Sequence, residues 1–67
     1  MRKPLSKVVR DIEFRNPDTI VTVKREPYGM IWCGRAKFVY GAFHREVWES
    51  EILGIEVRDL DIAITIK

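Results

Sequence analysis

The hydrophobic positions change period as the chain is read. Leu5, Val8, Val9 and Ile12 fall at i, i+3, i+4 and i+7, one stripe of an α-helix, with Pro4 acceptable at its first position and Ser6 as an alternative cap. Asn16-Pro17-Asp18 stops it, because proline cannot continue a helix and biases the residue before it toward extended geometry. The helix is therefore over by about Arg15. A stripe this short is not stable alone and must lie on something. From Thr19 the period becomes two: "TIVTVKR" at 19–25 is β-branched and alternating, and "EPYG" at 26–29 has the proline and glycine spacing of a type I turn. A strand, a tight turn and a second strand at 30–36 are predicted.

Beyond the second strand the pattern is less uniform. Residues 37–45, "KFVYGAFHR", break the alternation and fit either a single helical turn or a crossover loop packed by Phe38, Val39 and Phe43. "EVWESEI" at 46–52 alternates again and reads as a third strand. "DIAITIK" at 61–67 is the clearest strand of all. "LGIEVRDL" at 53–60 is either a strand extension bulged at Gly54 or the hairpin connection itself.

Parity sorts these strands into two faces. One carries Val21, Val23, Met30, Trp32, Ala36, Trp48, Ile52, Ile62, Ile64 and Ile66, where the helix stripe should dock. The other carries Ile20, Thr22, Lys24, Ile31, Cys33, Arg35, Val47, Glu49, Glu51, Ala63 and Thr65. A half-wet second face is what an antiparallel sheet covered on one side shows. Residues 1–67 are thus expected to form a single α+β domain: a four-stranded, mainly antiparallel sheet of two hairpins with one N-terminal helix packed on one face.

Composition narrows the classes. A 67-residue chain buries only about 60% of its unfolded surface, so its stability margin is small. With 46% hydrophobic and 33% charged residues it is a globular chain rather than a disordered one. No apolar run approaches the roughly 18 residues of a membrane span and no signal-peptide order opens the chain, so a cytoplasmic location is expected. The net charge of +2 is small, but residues 1–37 hold nine Lys/Arg against four Asp/Glu, giving +5, and residues 38–67 hold three against six, giving −3. Cross-strand pairing of Lys24 and Arg35 with Glu49 and Glu51 would absorb much of that asymmetry.

Candidate chemistry is sparse. Cys33 and His44 are each the sole residue of their type, the nucleophile and base a thiol enzyme would need. Cys33 sits mid-strand, however, His44 lies eleven residues on, and no third group orients the imidazole, which weighs against a catalytic dyad. One cysteine and one histidine cannot complete a structural zinc site, no calcium-loop spacing is present, and Gly29, Gly34, Gly41 and Gly54 stand singly rather than in a phosphate loop. No metal or cofactor is expected. Arg2, Lys3, Lys7 and Arg10 form a basic N-terminal segment, and Tyr28 or Tyr40 could stack on bases, which keeps nucleic-acid binding open. Both tryptophans read as core. Ile20, Ile31, Cys33 and Val47 would form an apolar patch on the outer face, beside Arg35 and next to the connection that carries Tyr40 and His44. That patch and connection are the candidate binding surface for a partner or a second copy.

The order of a short helix, an alternating strand, Trp32-x-Gly34-x-Ala36, an irregular segment, Arg45-Glu46-Val47 and an Ile-rich last strand resembles a group of small uncharacterised proteins carried by phages and integrated mobile elements of Firmicutes. There an acidic residue and a proline usually follow the alanine, whereas here Lys37 and Tyr40 occupy that region. The resemblance implies a binder rather than an enzyme, including inhibitors of bacterial defence systems. The leading expectation is a non-enzymatic accessory protein that acts by protein binding, with a host defence component among the partners implied. A nucleic-acid-associated regulator and a ligand-sequestering homo-oligomer are the alternatives.

Overall fold

The computed structural model describes residues 3–67. Helix α1 runs Leu5–Arg15, followed by strands β1 (Ile20–Arg25) and β2 (Gly29–Arg35), a 3-10 turn at Ala36–Phe38, a one-turn helix α2 (Arg45–Trp48), and strands β3 (Ile52–Val57) and β4 (Ile62–Ile66). The strands form one sheet in the order β2-β1-β4-β3. Both hairpins are antiparallel, and they join through a parallel pair, β1 with β4. An α+β domain with a mainly antiparallel four-stranded sheet results.

Local chemistry explains most of the boundaries. Helix α1 ends at Arg15; the Asn16 backbone N–H still donates to Ile12 O at 3.0 Å, and the Asn16 side-chain oxygen then accepts from the Asp18 N–H, turning the chain into β1. The β1–β2 turn closes one residue earlier than a type I turn at 26–29 would: Tyr28 N–H donates to Arg25 O, the Glu26–Pro27 peptide is cis, and Gly29 takes φ +89°.

The core joins Leu5 and Val9 of α1 to Val21 and Val23 of β1, Ile64 and Ile66 of β4, and Ala36 and Val39 of the connection, all fully buried. In the parallel ladder Val21 pairs with Ile62 and Val23 with Ile64, so the core parity expected for these two strands holds. Met30 departs from it. The register slips between Val23 and Lys24, so Met30 lies opposite Lys24 instead of continuing the Trp32 face, and it is 63% exposed.

The third strand also differs from the alternation at 46–52. Residues 45–48 are helical, and β3 occupies Ile52–Val57, the strand extension allowed for "LGIEVRDL", with a register shift between Ile52 and Gly54. Contacts four residues apart favour the helix: Arg45 Nε donates to Glu49 Oε1 at 3.0 Å and Ser50 Oγ to Glu46 O at 2.9 Å. Trp48 and Val47 consequently leave the sheet and pack on the core from α2. The expected pairing of Lys24 and Arg35 with Glu49 is replaced by local pairs: Glu49 with Arg45, and Arg35 with Asp18 at 3.6 Å, which Lys37 also reaches at 2.8 Å.

Candidate functional site

The outer sheet face brings together only part of the expected patch. Ile20 lies opposite Arg35, and Thr22 lies opposite Cys33. Ile31, 38% exposed, falls at the register slip, and Val47 is absent because it belongs to α2. In place of an apolar patch the face carries a polar network. Thr22 Oγ1 donates to Asp61 Oδ2 at 2.7 Å, with Cys33 Sγ 3.5 Å from the same hydroxyl. Arg58 forks onto Asp61 with Nε to Oδ1 at 2.6 Å and Nη2 to Oδ2 at 2.5 Å. The Arg58 hydrogen bonds, then that of Thr22, hold the Asp61 carboxyl below its usual range. His44 is the exposed residue before α2, and among the described residues no hydrogen bond joins it to Cys33.

The connection between β2 and β3 is an aromatic chain. Trp32 and Phe43 meet edge to face at 6.2 Å, Phe43 and Trp48 likewise at 5.2 Å, and Tyr40 stacks beside Trp48 at 6.3 Å. Gly34 makes room for this: a Cβ there would stand 3.0 Å from Cζ2 of Trp32, so the indole lies flat against the strand two residues from its own origin. A recess outside the stack is lined by Ser6, Arg10, Tyr40 and Trp48. The Glu13 carboxylate, then partial burial, pushes the Tyr40 phenol above its usual value, against an opposing effect of Arg10. Of the described basic N-terminal residues, Arg10 is the one that shares a recess with aromatic rings. Lys7 is exposed on α1, Lys3 precedes the helix, and Arg2 lies outside the described residues.

A more apolar opening lies elsewhere. A groove of about 340 Å³ runs between α1 and β3, with Val8 and Ile12 on one wall, Ile55 and Val57 on the other, and Ile62 of β4 between them. Lys3, Asp11 and Arg15 stand on its rim, none of them in an ion pair with another described residue. Ile55 is 50% and Val57 77% exposed although both lie opposite core-facing residues of β4, Ile64 and Ile62. Such contiguous apolar exposure marks interaction surfaces. Comparison with protein-family models, curated proteins and solved structures finds no match. Sequence reasoning missed this groove because it left residues 53–60 open between a strand extension and a hairpin connection and so gave Ile55 and Val57 no face. The signal was present in the alternation Ile55, Val57, which an edge strand would display.

The described residues contain no group of three or more His, Cys, Asp or Glu placed to hold a metal ion, and no helix long and apolar enough to cross a membrane. What the site offers is apolar area beside strand backbone that no described residue pairs. Those features suit recognition of another polypeptide.

Proposed function

We propose that this chain is a non-enzymatic accessory protein that works by binding another protein at the α1/β3 groove, a host defence component being the partner class that its likeness to phage and mobile-element proteins suggests. The observation that carries the reading is the groove itself. In so small a domain every apolar face is needed for stability, yet Ile55 and Val57 leave theirs in solvent. Affinity capture from a bacterial lysate tests it, with the wild-type chain beside Ile55→Lys. The expected result is a protein retained by the first and lost by the second. Identical retention by both, or recovery of nothing but the bait, overturns it.

A second reading has one observation in its favour, the recess that sets Arg10 beside the Tyr40–Trp48 stack, as a base-stacking site with a phosphate contact would be arranged. Binding to single-stranded nucleic acid would then weaken steeply with salt and with Arg10→Ala. Binding indifferent to both excludes it.

A further inference from the structure

Resting on the protein-binding reading, we propose that the partner which first covers this surface is a second copy of the chain, paired edge to edge and antiparallel along β3 about a two-fold axis at Val57. β3 is an edge strand, and among the described residues no strand lies on its other side. The Arg58 N–H donates to Asp61 O at 2.8 Å. Hydrogen-bonded pairs alternate in an antiparallel ladder, so the next ones inward are Glu56 with Ala63 and Gly54 with Thr65. The N–H and C=O groups of Ile55 and Val57 therefore point away from β4, with no hydrogen-bond partner among the described residues. The opposite end of the strand is closed: Leu5 N–H donates to Ser50 O at 3.2 Å, and Pro4 bridges Glu51.

The occupant of such an edge must be extended. The end of β3 in a second copy has that form, and a two-fold pairing at Val57 sets Glu56-Val57-Arg58 of each copy against the same three residues of the other in one closed contact. Charge selects the register. An axis at Glu56 would set two carboxylates face to face, and an axis at Ile55 would run Val57 into the partner's register shift at Leu53. With the axis at Val57, Glu56 stands opposite Arg58 of the copy, and Arg58 opposite its Glu56, on the outer face. Arg58 spends Nε and Nη2 on Asp61, which leaves Nη1 for that contact. Val57, the most exposed large apolar residue of the strand, meets its own counterpart. The two grooves then merge into one trough between the two α1 helices, so the binding surface is complete only in the dimer.

Sedimentation velocity at micromolar concentration should give twice the 7.9 kDa chain mass, and Val57→Lys should halve it while leaving the circular dichroism spectrum unchanged. In a Cys33→Ser background, oxidised Val57→Cys should crosslink to dimer, because a directly paired residue brings its Cα within about 5.5 Å of its copy, inside the range a disulfide spans. Ile55→Cys, offset from its copy by roughly 14 Å of strand, should not. A monomeric wild type, a dimer indifferent to Val57→Lys, or faster crosslinking through Ile55→Cys overturns the pairing. A monomer whose captured host protein is still lost with Ile55→Lys overturns only the second copy, whereas a Val57-dependent dimer that captures nothing supports the pairing and overturns the proposed function.

Discussion

Replacing Ile64 with valine removes one methylene from the middle of the core and tests the strand order directly. Ile64 is fully buried, with Val23 of β1 on one side and Ile55 of β3 on the other. A buried methylene is worth about 0.8 kcal/mol in transfer, and the cavity left behind raises Ile→Val costs to as much as ~1.5 kcal/mol. About 1 kcal/mol is expected here, against a total stability of roughly 3–10 kcal/mol for a chain of this length, so the variant still folds. In a domain this small it should lower Tm by about 4–8 °C. The control is Ile31→Val on β2, partly exposed at the register slip, where the change should stay within about 0.5 kcal/mol. Thermal unfolding by far-UV circular dichroism measures both, at matched protein concentration because self-association would add a mass-action contribution. A larger shift at Ile31 than at Ile64 would refute the order, since it would put β2 inside the sheet and β4 outside.

Gly34→Val should drive the Trp32 indole off the strand, costing about 1–3 kcal/mol as overpacking does and changing the near-UV circular dichroism of the aromatic chain; an unchanged near-UV spectrum would contradict the close Gly34–Trp32 approach. Asp61, held low by Arg58 and then Thr22, and Asp18, held low by Lys37 and then Arg35, have folded-state values below their unfolded ones. Their contribution is therefore fully present above the unfolded value and is lost as pH falls through the folded one, from about pH 4 downward. Tm should be insensitive to these groups near neutrality and fall in acid, with a shallower acid slope in Asp61→Asn; an equal slope in the variant counts against the network. Glu13→Gln should bring the Tyr40 ionisation down toward the ordinary phenol value in an ultraviolet titration, and no movement would mean that Glu13 is not what raises it.

The parts of the fold legible in the sequence are those where one physical signal acts alone. The helix stripe of Leu5, Val9 and Ile12 and the stop at Asn16-Pro17 place α1, and β-branched alternation places β1 and β4. Residues 46–52 misled because two periods coexist there: Val47, Trp48 and Ile52 fit alternation, while the Arg45–Glu49 and Glu46–Ser50 contacts fit a helical turn. The helix forms because it lets Trp48 meet Phe43 and Tyr40. Met30 was mislaid by a single register slip, which parity cannot anticipate. The parallel pairing of β1 with β4 is a long-range choice, and it decides which strands become edges.

That choice also explains why the groove exists. A helix with its side chains is about 10–12 Å across, and strands lie about 4.8 Å apart, so one helix can shield about two of four strands. Leu5 and Val9 share the buried cluster with the inner strands β1 and β4. The connection from β2 brings Ala36, Val39 and Phe43 over its own side and enters β3 at the Ile52 end. Among the described residues nothing remains to cover Ile55 and Val57 at the other end. Edge strands that stay free usually carry lysine, proline or a central bulge to discourage pairing. Here the open stretch is Ile55-Glu56-Val57, its one charge turned to the outer face. An edge so poorly defended is a solubility cost unless something covers it, whereas on the outer face Asp61, Arg58 and Thr22 already satisfy one another.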